Sequence, residues 1–197
     1  MTLETEAQKE IVAKILPSLT AEEVDQFLTY LEFREAAIGS ILVSQGETDR
    51  DLYLLLNGAY SVFSKFRVNL TSVAMNTANF PGPGLLGEVN LVLDSTRTAT
   101  VVAREACAYL YLSKDAFDRM TAEAPQIGIK IVTTVASIIH GRSENTRRVM
   151  YTNLISESPS VPVGISRIGR WMGKWTRVSD DISTKLFGDF EGENFNS

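Results

Sequence analysis

The chain has 197 residues, 44% apolar and 22% charged, with a net charge of −5. That is room for one globular domain with some chain left over, or for two small ones. One cysteine excludes an intrachain disulfide and a Cys-rich metal centre, and one histidine excludes His-based triads and His-rich metal sites. No apolar run approaches the roughly 20 residues that cross a bilayer. Met1-Thr2-Leu3-Glu4 has neither the basic nor the apolar stretch of a signal peptide, so the expectation is a cytoplasmic protein.

The N-terminal part reads as helix. A first helix is expected from Glu4 to Leu16, ended by Pro17. In Thr20-Ala21-Glu22-Glu23 the hydroxyl and the third-position Glu form a capping box. Val24, Phe27, Leu28 and Leu31 follow as one apolar stripe. From Phe33 to Leu112 the texture changes to short apolar or alternating runs. Ile38–Val43, Leu52–Leu56, Ala59–Phe66, Thr98–Ala103 and Ala108–Leu112 read as strands. Gly39, Gly46, Asn57-Gly58 and Pro81-Gly82-Pro83-Gly84 punctuate them, and Asn57-Gly58 between two strands predicts a hairpin. Many short strands at regular spacing suggest a small antiparallel barrel or jelly roll.

Helix returns at Lys114–Met120, and Pro125 opens a long one to about Leu154. Along it Ile131, Val135, Ile138, Arg142, Asn145 and Val149 alternate by four and three, the spacing of a coiled-coil seam with two polar positions. Cys107 and His140 read as ordinary structural residues of a strand and of this helix.

Gly84-Leu85-Leu86-Gly87-Glu88-Val89-Asn90-Leu91-Val92-Leu93-Asp94-Ser95-Thr96-Arg97-Thr98-Ala99-Thr100 is the stretch that carries chemistry. Glycines let backbone N–H groups approach a ligand, and a helix start favours an anion. Arg97 offers a planar fork suited to phosphate, and Glu88 can accept from a sugar hydroxyl. On the glycines alone a surface turn with a Glu–Arg ion pair is the favoured reading.

The whole pattern resembles the phosphate-binding cassette of the cyclic-nucleotide-binding domain. That domain occurs in catabolite-activator-type regulators, kinase regulatory subunits and gated channels. Gly87, Glu88, Val89, Leu91, Arg97, Thr98, Ala99 and Thr100 fit its pattern, and Gly39, Gly46-Glu47 and Gly58 fall at its barrel turns. The likeness covers roughly residues 18–155. It implies an α+β fold, an antiparallel β jelly-roll barrel flanked by N-terminal helices and a long C-terminal dimerisation helix. The expected divisions are 1–32 for the N-terminal helices, 33–124 for the barrel with its cassette at 84–100, 125–155 for the long helix and 156–197 for a linker and tail.

By that resemblance Glu88 binds the ribose 2′-hydroxyl and Arg97 the cyclic phosphate. Main-chain N–H groups of Gly87, Glu88 and Val89, and those around Thr98 and Ala99, complete the anion site. The ligand would be cyclic AMP or cyclic GMP, with no cofactor, no metal and no catalytic residue. Thr98 follows the Arg as in cyclic-GMP-binding kinase domains, while bacterial cyclic-AMP binders often carry Ser there. Arg142 and Ser143 align with the place where the long helix meets the base, and a parallel homodimer is implied. The same polar positions also fit a register-setting pair in a coiled coil. Asn90 departs from the small residue of the family, and its side chain either crowds the phosphate or points away. A ligand-free interaction module is the competing expectation.

The tail is charged in two blocks. Residues 164–178 carry Arg167, Arg170, Lys174 and Arg177 for +4, and 179–197 carry −4. Ile165, Ile168, Trp171, Met172 and Trp175 give the first block an apolar stripe. It either docks on a protein partner or an anionic surface, or packs back on the barrel. Gly164, Gly169, Gly173 and Gly188 interrupt it, which fits no helix-turn-helix, so sequence-specific DNA binding is not expected.

Overall fold

The computed structural model describes residues 5–68 and 71–156. The expectations for the linker and the tail from 157 onward lie outside those residues. Two helices open the chain, α1 (Thr5–Ile15) and α2 (Ala21–Leu28). The capping box of α2 is formed as read. The Glu23 N–H donates to Thr20 Oγ1 at 3.3 Å, and the Thr20 N–H donates to Glu23 Oε2 at 2.8 Å. Val24 and Phe27 are buried beneath it.

Eight strands follow: β1 (Glu32–Ala36), β2 (Ile41–Val43), β3 (Leu52–Leu55), β4 (Ala59–Val68), β5 (Thr71–Pro81), β6 (Gly84–Leu86), β7 (Thr100–Ala103) and β8 (Cys107–Leu112). A short helix α3 (Glu88–Val92) interrupts them after β6, and α4 (Lys114–Glu123) and α5 (Pro125–Ser156) end the described chain. One four-stranded sheet has the order β1-β8-β3-β6 and the other β2-β7-β4-β5, every pair antiparallel. The pairings β4–β5, β3–β6, β2–β7 and β1–β8 nest outward from one hairpin, which makes the barrel a jelly roll.

That nesting corrects the reading of Asn57-Gly58. The dipeptide joins β3 to β4, which lie in different sheets, so it is a corner and not a hairpin turn. Gly58 supplies the φ of +96° that the corner needs. The Asn57 side chain accepts from the Ala108 N–H at 2.8 Å, replacing a ladder bond where the chain leaves the sheet. The true hairpin is β4–β5. Residues 38–40 also depart from the expected strand. They form a turn in which Gly39 has φ +80° and Ile38 faces solvent, and the strand before it, β1, comes earlier.

Alternation along the first sheet makes two apolar layers. Leu52, Leu54, Leu110 and Leu112 face the helices, with Phe27, Phe117, Met120, Ile127, Ile131 and Val135 packed on them. Tyr53, Leu55 and Leu86 face the other way, into the barrel with Val43, Tyr60, Val101 and Ala103. Ile131 and Val135 are therefore fully buried in the chain's own core. This corrects the seam reading: those two residues face inward and are not available to a second helix. Ile138 packs on the same layer, and the Val149 side chain lies outside the description. Lys130 of α5 holds Glu23 of α2 at 2.6 Å. Among the described residues no helix is long and apolar enough to cross a membrane.

Candidate nucleotide site

Strand β6 delivers the chain to Gly87, which stands before α3 with φ +84°. A Cβ on Gly87 would overlap the Asp51 carbonyl oxygen and lie 2.6 Å from Arg97 Nη1. Only glycine lets the turn close over this guanidinium. Within α3, Glu88, Asn90 and Leu91 are buried. The Asn90 amide donates to the Ser95 carbonyl, so its side chain braces the loop that leads to Arg97. Of the two readings of Asn90, this is the one in which it is turned into its own loop.

Arg97 precedes β7, and its main chain is fixed on both sides. Its N–H donates to the Glu47 carbonyl at 2.7 Å, and its carbonyl accepts from the Gly46 N–H at 2.9 Å. The side chain is 2% exposed. Nε and Nη2 donate to the two carboxylate oxygens of Asp49, and Nη2 also donates to the Asp51 carbonyl at 2.7 Å. Nη1 is buried without a partner among the described residues. Glu88, 7% exposed, is paired with Arg142 of α5, whose Nη2 also donates to the Leu85 carbonyl at 2.8 Å. The Glu–Arg pair of the surface-turn reading therefore does not form. Each cassette residue has a different partner.

Sequence reasoning missed the loop before β3. Asp49-Arg50-Asp51 clasps the cassette from beneath. Arg50 donates to the carbonyls of Asn90 and Leu91, at 3.0 and 3.2 Å, so it holds the end of α3. The Asp51 carboxylate accepts from the Tyr111 hydroxyl at 2.5 Å and from the Lys114 N–H at 2.9 Å. Three charged residues in a row before an apolar strand were the only trace of this in the sequence. Burial works against the charged form of Asp49, but the hydrogen bonds and charge of Arg97 outweigh it and hold the carboxyl below its usual range. The Arg97 guanidinium lies 5.8 Å from the centre of the Tyr53 ring, whose phenol burial pushes up to about 12, so that it is neutral at pH 7.

The remaining expected residues spread around this centre. Thr98 is exposed and Ala99 partly so, just past Arg97, and Val89 is partly buried in α3. Ser143 is exposed on α5 beside Arg142, and His140 is exposed one turn before. The structure thus brings Gly87, Glu88, Arg97 and Arg142 into one cluster.

Residues 33–124 match the family model of the cyclic nucleotide-binding domain. The fold is shared with solved structures. A cyclic nucleotide-binding domain from Methylobacillus flagellatus KT superposes with TM-score 0.65 at 22% identity, over 80% of this chain and 86% of that one. The Thermus thermophilus catabolite activator protein gives 0.57 at 25% identity, over 70% of this chain and 61% of its own. The regulatory domain of Toxoplasma gondii PKA with cAMP gives 0.50 at 17% identity, over 60% of this chain and 46% of its own. No curated protein sequence matches the chain.

Proposed function

We propose that this chain is a receptor for a cyclic mononucleotide, cyclic AMP or cyclic GMP, and that it relays occupancy through α5 to a partner. The observation that carries the reading is Arg97 Nη1, a buried cationic donor without a partner among the described residues, beside a glycine that leaves it room. Leaving such a group unsatisfied costs a few kcal/mol, which an anionic oxygen recovers. In this role Arg97 meets the cyclic phosphate together with the N–H groups of Glu88, Val89 and Ala99, and Glu88 meets the ribose hydroxyl. Thr98, Arg142 and Ser143 stand on the side of the base.

The relay rests on the Glu88–Arg142 pair. A ribose hydroxyl and Arg142 draw on the same carboxylate, so ligand binding changes what holds α5 to the cassette. A ligand shifts an equilibrium only by its differential affinity for two states, and this shared carboxylate supplies such a difference. A homodimer built on α5 would use the face away from the core, where Ile129 is exposed.

Calorimetric titration with both nucleotides tests the reading. Wild type binds one of them, and Arg97→Ala weakens it by about 100-fold, from loss of a charge-assisted contact worth about 2–3 kcal/mol. Equal binding by the variant overturns the assignment. A second reading, a ligand-free interaction module, draws on Glu88 and Arg97 both having partners inside the chain. It is the outcome if neither nucleotide binds wild type.

A further inference from the structure

The guanidinium of Arg97 has five N–H donors, and their distribution is uneven. Asp49 takes Nε and one Nη2 donor through both carboxylate oxygens, the two-pronged geometry that a phosphate also uses. The Asp51 carbonyl takes the other Nη2 donor. Among the described residues only Nη1, facing Gly87, is left without a partner. A phosphate that arrives while Asp49 is seated therefore meets a single nitrogen of an already neutralised cation, beside a second negative charge. The two-pronged face opens only when Asp49 leaves.

Asp49 is the partner able to leave. Its side chain is about one-third exposed, 32% against 2% for Arg97, and it sits on a loop. Its other local bond is a long one, from the Asp51 N–H at 3.4 Å. Arg97 by contrast is gripped at both main-chain groups. The neighbours of Asp49 are committed to the scaffold, Arg50 to the end of α3 and Asp51 to Tyr111 and Lys114. We infer that the Asp49 carboxylate is an internal stand-in for the ligand's phosphate, seated on Arg97 until an incoming anion displaces it, and that it thereby sets the affinity of the site. This rests on the reading of Arg97 as the anion-binding cation.

The test replaces the charge and keeps the acceptor. In Asp49→Asn an amide oxygen can still accept from Arg97 without competing as an anion. Cyclic AMP and cyclic GMP are titrated by calorimetry at pH 7, and inorganic phosphate is followed by its effect on Tm. The expected result is about tenfold tighter nucleotide binding by Asp49→Asn, as one competing charge is removed, and a larger phosphate-induced rise in Tm than wild type shows. If nucleotide binds wild type and the variant equally, or the variant more weakly, Asp49 orients Arg97 and the inference is overturned while the receptor reading stands. If no nucleotide binds either protein but phosphate stabilises the variant more, the stand-in holds and the receptor reading fails. If phosphate and nucleotide leave both proteins unchanged, both fall. Asp49→Ser carries the same expectations if Asp49→Asn does not fold.

Discussion

Gly87 and Asp49 are where single atoms decide what the site can do. A methyl group on Gly87 meets the Asp51 carbonyl and Arg97 Nη1, and φ +84° is strained for any L side chain. Gly87→Ala is expected to lower stability by about 1–3 kcal/mol, read by denaturant titration, and to abolish nucleotide binding because the guanidinium must move. A variant as stable as wild type that still binds would show the turn to be more yielding than its geometry. Asp49 makes a pH-dependent contribution whose sign follows from its depressed pKa. A carboxyl held low in the folded state stabilises above its unfolded pKa of about 3.9, and that contribution is lost as pH falls through the lower folded value. Asp49→Asn should therefore flatten the acid limb of thermal stability below about pH 4. An unchanged limb would mean that other carboxylates govern it.

At the scale of elements, α5 is fastened to the cassette through Arg142 and to α2 through Lys130. Arg142→Ala leaves Glu88 buried without its cation, a loss that costs more than the pair itself gains. Amide exchange across residues 138–145 should rise in this variant, and the change produced by nucleotide should shrink. Unaltered exchange would break the link between cassette and helix. Much of the element order was legible beforehand. The capping box at Thr20, the strands around Leu54, Val101 and Leu110, and Pro125 at the start of α5 each follow from local chemistry that tertiary packing left alone. What was not legible depends on partners distant in sequence. Asn57-Gly58 has hairpin chemistry, but β3 pairs with β8 and β6 and not with β4, so the dipeptide turns a corner instead. Strand β5, rich in Asn, Ser and Thr, has too little alternation to be read, and it exists as the partner of β4. The cassette was readable because Gly87, Glu88 and Arg97 lie within eleven residues. Asp49 is distant in sequence, and nothing local marks it as the partner of Arg97.

On the scale of the whole molecule, a four-and-three alternation serves either a partner helix or the chain's own barrel, and only packing distinguishes the two. Ile131 is fully buried inside the protomer. Ile131→Ala is expected to cost about 2–5 kcal/mol while leaving the sedimentation coefficient unchanged. A shift in oligomeric state at constant stability would restore the interchain seam. The nested strand pairing has its own consequence, one of timing. Only β4 and β5 are neighbours in sequence; β1 waits for β8, and Ala36 meets Cys107 about 70 residues later. On a ribosome adding about 5–20 residues per second, the first strand stays without its ladder for roughly 4–15 s. Through that interval it presents open backbone to any other unfinished chain. Its charged residues Glu32, Arg34 and Glu35 guard it while it waits.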